Sequence, residues 1–162
     1  MSPRRYAEDT SVPVSRSRGQ IDDLLRQWGV DAIQWSEDYQ DDRVTLRFVW
    51  QHRELRYSTR LSVQLPKRAE LAKEAIDGRT GQPSERKLRV LLEARGRQEH
   101  RLLLLWLKAA LNAVDAGIVS AEALFLPFLE GKDGRTFAEV ASEHLPDLLC
   151  GSAEKLLPKG RT

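Results

Sequence analysis

Arg47, Arg56 and Arg60 are the residues of this chain whose type and spacing come closest to a chemistry. They sit in VTLRFVW (44–50) and LRYSTRLSV (55–63), where apolar and polar residues alternate and Thr45, Ser58 and Ser62 stand among the arginines. Period two sends alternate side chains to opposite faces of a strand. Three guanidinium groups and three hydroxyls therefore share one face. Guanidinium forks match phosphate oxygens, and each phosphate neutralised releases counterions. Arg43 and Arg53 extend the track, as does His52 at the turn between the strands. The face holds no evident aromatic on which bases could stack, so what it would read is a backbone rather than a sequence. A charged open face also serves to keep a sheet in solution, and that reading stands beside the first.

Other chemistries find less support. Glu37, Asp38, Asp41 and Asp42 form an acidic link, but without the central glycine and closing glutamate of a calcium loop. His52, His100 and His144 fall in different segments, and the strand interiors hold no carboxylates of the kind a metal-dependent nuclease places there. There is no glycine-rich phosphate loop, and the single cysteine, Cys150, has no obvious base partner. The expectation is a non-catalytic protein that needs no cofactor and no metal. One cysteine excludes an internal disulfide, the N-terminus lacks a secretory apolar run, and Leu102–Ile118 is interrupted by Lys108, Asn112 and Asp115. These features suggest a cytoplasmic protein without a membrane span.

The elements that must position the arginines are legible from periodicity. Ile21, Leu24, Leu25 and Trp28 make the i, i+3, i+4, i+7 stripe of an amphipathic helix. Ser17 and Gln20 have capping-box spacing at its start, and Gly29 suits its end. AIQWSE (32–37) reads as a first strand, giving with the two basic strands a three-stranded antiparallel meander. The helix lies on its apolar face. KRAELAKEAIDG reads as a short helix, and Ser84 caps a long one reaching Ala116, with Gly96 a weak point and Gly117 a stop. Ser120 caps another, and Thr136 with Glu139 makes a capping box for FAEVASEHL. The fold expected is α+β: residues 1–14 as an arm, 15–66 as helix and meander, 67–150 as a helical half, and 151–162 as a tail.

Charge is unevenly spread. The whole chain of 162 residues carries only +2. From Arg43 to Arg68, however, seven basic residues face one acidic residue, and from Ala109 to Cys150 seven acidic residues face two basic ones. Such segregation produces an oriented field that steers anionic partners. Arg16 and Arg18 precede the first apolar residue of the first helix, where its dipole repels cations. Their expected use is to join Arg43, Arg47, Arg53, Arg56 and Arg60 in one electropositive surface.

The first helix with its leader, RYAEDTSVPVSRSRGQIDDLLRQWG, and the later RQEHRLLLLWLKAALNAVDAGI with AEALFLPFL resemble segments of small uncharacterised proteins encoded by bacterial phages, prophages and related mobile elements. The resemblance implies a setting in mobile-element biology. It brings no catalytic residue, because the group has no assigned activity.

Two functions from different classes follow. The first is a nucleic-acid-associated accessory protein that contacts DNA or RNA phosphates through the basic hairpin. The alternative is a protein–protein adaptor or homodimer. It would use RLLLLWLKAALNAV, which is apolar on nearly every side, with Leu104, Trp106 and Leu107 at the interface.

Overall fold

The structure, a computed structural model, describes residues 6–7 and 9–149. It is an α+β fold in the order α1 (Val14–Trp28), β1 (Ala32–Asp38), β2 (Arg43–His52), β3 (Leu55–Gln64), α2 (Arg68–Glu74), α3 (Glu85–Asp115), α4 (Ala121–Phe125), a 3₁₀ turn (Leu126–Phe128) and α5 (Phe137–Leu149). Cys150 and the tail after it lie outside the described residues.

Helix α1 begins three residues before Ser17. Pro13 is its N-cap, and the Pro13 carbonyl accepts from the N–H groups of Arg16 and Ser17. Ser17 is no cap at all. It is fully buried, and its hydroxyl has no partner among the described residues. At the far end Gly29 adopts φ 93°, and the N–H groups of Gly29 and Val30 both return to the Leu25 carbonyl. A left-handed residue of this kind is what lets a helix stop in one step.

The three strands form an antiparallel meander in the order β1-β2-β3. Its register pairs Leu46 with Leu61, Phe48 with Thr59 and Trp50 with Tyr57, so these point to one face. On β1, Ile33 opposite Phe48 and Trp35 opposite Leu46 join them. Thr59 is buried among apolar neighbours because its hydroxyl accepts from Trp50 Nε1 at 2.9 Å. Against this face pack Ile21 and Leu25 of α1, Leu103, Leu104, Leu107 and Leu111 of α3, and Phe125 of α4.

Helix α3 runs unbroken for 31 residues. Ser84 caps it, and Gly117 at φ 71° follows its end. Gly96 does not interrupt it. A Cβ at that position would meet Val14 Cγ2 at 3.9 Å, so the glycine faces the first turn of α1. The first half of α3 holds α2 through a small satellite core of Leu71, Ala75 and Leu88, and the second half belongs to the main core.

Candidate interaction surfaces

The opposite face of the sheet carries the arginines. Arg47 lies directly across from Arg60, with Thr45 across from Ser62 and Gln51 across from Arg56. Like charges facing each other in a sheet repel, so the pair Arg47–Arg60 requires an anion. Glu130 supplies it. Beyond the 3₁₀ turn the chain returns to the outer edge of β3, where Leu129 bridges to Thr59 and the Glu130 N–H donates to the Ser58 carbonyl at 2.8 Å. This single rung covers part of an otherwise open edge. It also delivers the Glu130 carboxylate, only 11% exposed, between the arginines. Arg47 Nε donates to it at 3.0 Å and Ser58 Oγ at 2.7 Å, and Arg60 Nε lies 3.4 Å away. Arg60 also donates to Glu139 at the start of α5. Glu139 in turn accepts from the Thr136 N–H at 2.7 Å, while Thr136 Oγ1 accepts from the Glu139 N–H at 3.2 Å, which completes a capping box. The Thr136 N–H, followed by Arg60, holds the Glu139 carboxyl below the usual carboxylate range.

Arg56 and Arg43 are similarly engaged. Arg56 pairs with Asp31 at 3.2 Å and Arg43 with Asp41 at 3.0 Å. Asp38 accepts from the N–H groups of Gln40 and Asp41, so the acidic link at 37–42 is stitched by turn hydrogen bonds and ion pairs. Arg53 occupies the hairpin turn at φ 55° and is exposed, as is Arg16. The segregation of charge along the chain is in part an internal complementarity: Glu130 and Glu139 of the C-terminal half serve Arg47 and Arg60, while nearby Asp31 and Asp41 serve Arg56 and Arg43.

Arg18 corrects the expectation of a single electropositive surface. Its partner Glu37 is paired with Val44 on the core side of the sheet, away from Arg47 and Arg60. Arg18 donates to Glu37 Oε1 at 2.6 Å and to His100 Nε2 at 3.0 Å, and its guanidinium lies 4.9 Å from the centre of the Trp35 ring. Trp35 Nε1 donates back to Asp22 of α1 at 2.9 Å. An arginine in the second turn of α1 therefore joins that helix to β1 and α3. Helical periodicity turned it inward, because the helix starts at Val14 and Arg18 falls on the flank of the Ser17–Ile21–Leu25 stripe.

His100 is buried, and its Nδ1–H donates to the Gly96 carbonyl at 2.7 Å while Nε2 accepts from Arg18. Only the neutral Nδ1–H ring makes both bonds at once, because Nε2 must keep its lone pair to accept from Arg18. Burial, aided by Arg18, holds its pKa below the ordinary 6.5, against the opposing pull of the Gly96 carbonyl and Glu37. The unfolded chain takes up this proton more readily, so the stability due to His100 is complete above about pH 6.5 and is lost as pH falls through the folded value. Urea midpoints should fall between about pH 7 and 5, ahead of the carboxylates. His100→Gln should be less stable at neutral pH but show a flatter slope across that window.

The apolar helix expected to form an interface divides differently. Leu104 and Leu107 are core residues, 2% and 0% exposed, because the sheet, α1 and α4 cover α3 from several directions. Trp106 alone of the three reaches the surface, where its ring meets Phe125 and Phe128 edge-on. The larger apolar surface is α5. From Phe137 to Leu145 every residue is exposed, including Phe137, Val140 and Leu145, and its packing neighbour is the 3₁₀ turn. Leu126 of that turn and Leu105 beside Trp106 are also exposed.

Among the described residues no group of histidine, cysteine and acidic side chains is arranged to hold a metal, and no helix is long and apolar enough to cross a membrane. Comparison of the chain with protein-family models, curated proteins and solved structures yields no match, so its function must be read from these surfaces.

Proposed function

We propose that the protein is a non-catalytic protein–protein interaction module that offers α5, flanked by the Leu126–Phe128 turn and Trp106, to a groove on a partner. One observation carries this reading: α5 has the apolar spacing of a packed helix, with Phe137, Val140, Ala141 and Leu145 on one stripe, yet no element among the described residues buries that stripe. Contiguous exposed apolar surface marks interaction sites. The capping box at Thr136 fixes the start of α5 and so presents the stripe in a set direction.

Val140→Asp tests it. The substitution should leave thermal stability within about 0.5 kcal/mol, as expected for an exposed site, and abolish association. Sedimentation velocity reads self-association, and a photo-crosslinker at position 140, with one at Lys108 as control, reads partners in cells. A wild type that remains monomeric and gives no discrete product at position 140 would refute the module.

A second reading, phosphate contact through the sheet face, draws support from the exposure of the Arg47 and Arg56 side chains, 39% and 68%. A phosphate there competes with Glu130 and Asp31 for guanidinium groups already paired, which argues for weak and strongly salt-dependent binding.

A further inference from the structure

Where α1 and α3 both end, a cleft of about 510 Å³ opens between them, the tip of the β2–β3 hairpin and the start of α4. That volume suits a small organic molecule. Trp28 forms its aromatic wall, backed by the buried Trp50, with ring centres 5.3 Å apart and planes inclined at 54°. Val114 adds aliphatic surface, and Glu122 lines the cleft with His52 Nδ1 against its carboxylate.

The components of this cleft mostly favour one sign of charge. Indole faces attract cations through their quadrupole. Gly29 and Gly117, the left-handed residues just beyond α1 and α3, both line the cleft, so the negative ends of a 15-residue and a 31-residue helix converge there. A Cβ at either glycine would meet nothing within 4 Å, so the backbone at both helix ends is open. The Glu122 carboxyl is held below the usual range by its own backbone N–H and by His52 and Arg53, and is ionised at neutral pH. The opposing groups are His52 and Arg53 at the hairpin tip. Arg26, in the last turn of α1, is turned to Asp23.

We infer that this cleft binds a small organic ammonium ion, its apolar body on Trp28 and its charge beside Glu122 and the two helix ends. Neutral molecules of the same shape gain only burial there, and anions are repelled. The inference is independent of the α5 surface.

Choline and its neutral carbon isostere 3,3-dimethyl-1-butanol provide the test, titrated into ¹⁵N-labelled protein. Choline should shift the indole Nε1–H signal of Trp28 saturably while those of Trp35 and Trp106 stay in place. The isostere should bind about tenfold more weakly. Glu122→Gln alters a partly exposed side chain and should keep the fold, lowering choline affinity several-fold with no effect on the isostere. Equal affinity for the two ligands, unchanged choline affinity in Glu122→Gln, or no saturable shift at millimolar choline would overturn the assignment.

Discussion

Phe125→Ala should destabilise the protein by about 3–5 kcal/mol, the cost of a large cavity in a packed core. The ring is fully buried, and aromatic neighbours come from every layer: Trp28 of α1 at 5.8 Å, Phe48 of β2 at 5.5 Å, Trp50 at 6.1 Å and Trp106 of α3 at 6.3 Å between ring centres. These side chains belong to rigid helices and strands and cannot collapse into the vacated space. Helix α4 is only five residues long and Phe125, with Ala121, is one of its two buried residues, so its loss should loosen the helix as well. Against a total stability of about 5–15 kcal/mol, the variant should be marginal. Urea unfolding should show a midpoint lower by about 1–3 M at similar slope. Phe128→Ala, three residues on and only partly buried, should cost much less. Equal effects at the two positions would contradict the packing described.

Glu130→Ala should cost about 2–3 kcal/mol. It removes the acceptor for Arg47, Arg60 and Ser58 together and leaves two guanidinium groups directly opposed in the sheet. Loss of a carboxylate from a fully buried pair costs more, but the exposed flank of Arg47 lets water compensate in part. The loss should shrink at about 1 M salt, where screening acts over about 3 Å. A salt-independent loss would mean that only packing was removed. Glu130→Gln combined with Glu139→Gln also separates the two functional readings. If the sheet face contacts phosphates, freeing Arg47 and Arg60 should raise affinity for duplex DNA and steepen its salt dependence. If α5 is the functional surface, nucleic-acid binding should stay negligible.

The architecture was legible in the sequence wherever period alone decides it. The alternation in 44–50 and 55–63, the stripe of Ile21, Leu24, Leu25 and Trp28, and the caps at Ser84, Ser120 and Thr136 all correspond to the elements found. The start of α1 was not legible, because Ser17 and Gln20 have the spacing of a cap while Pro13 forms the cap itself. A capping serine and a buried small serine look alike until tertiary packing chooses between them. The basic face is legible as a face but not as a balance of charge. The acids of residues 109–150 are plain in the sequence, but nothing local ties Glu130 to Arg47, 83 positions earlier. Leu104, Trp106 and Leu107 were indistinguishable as interface candidates, since an all-round apolar helix does not say which of its sides the same chain will cover.

The rung between Leu129–Glu130 and β3 also has a consequence in time. At synthesis rates of about 5–20 residues per second, the β2–β3 hairpin leaves the ribosome several seconds before Glu130 is made. For that interval Arg47 and Arg60 face each other without their shared carboxylate, and the core lacks Phe125. The nascent domain is both hollow and cationic beside a particle built of RNA. Its last third brings the missing ring and the missing anion within six residues of each other, Phe125 and Glu130, so the side chain that fills the core and the one that neutralises the arginines leave the ribosome together.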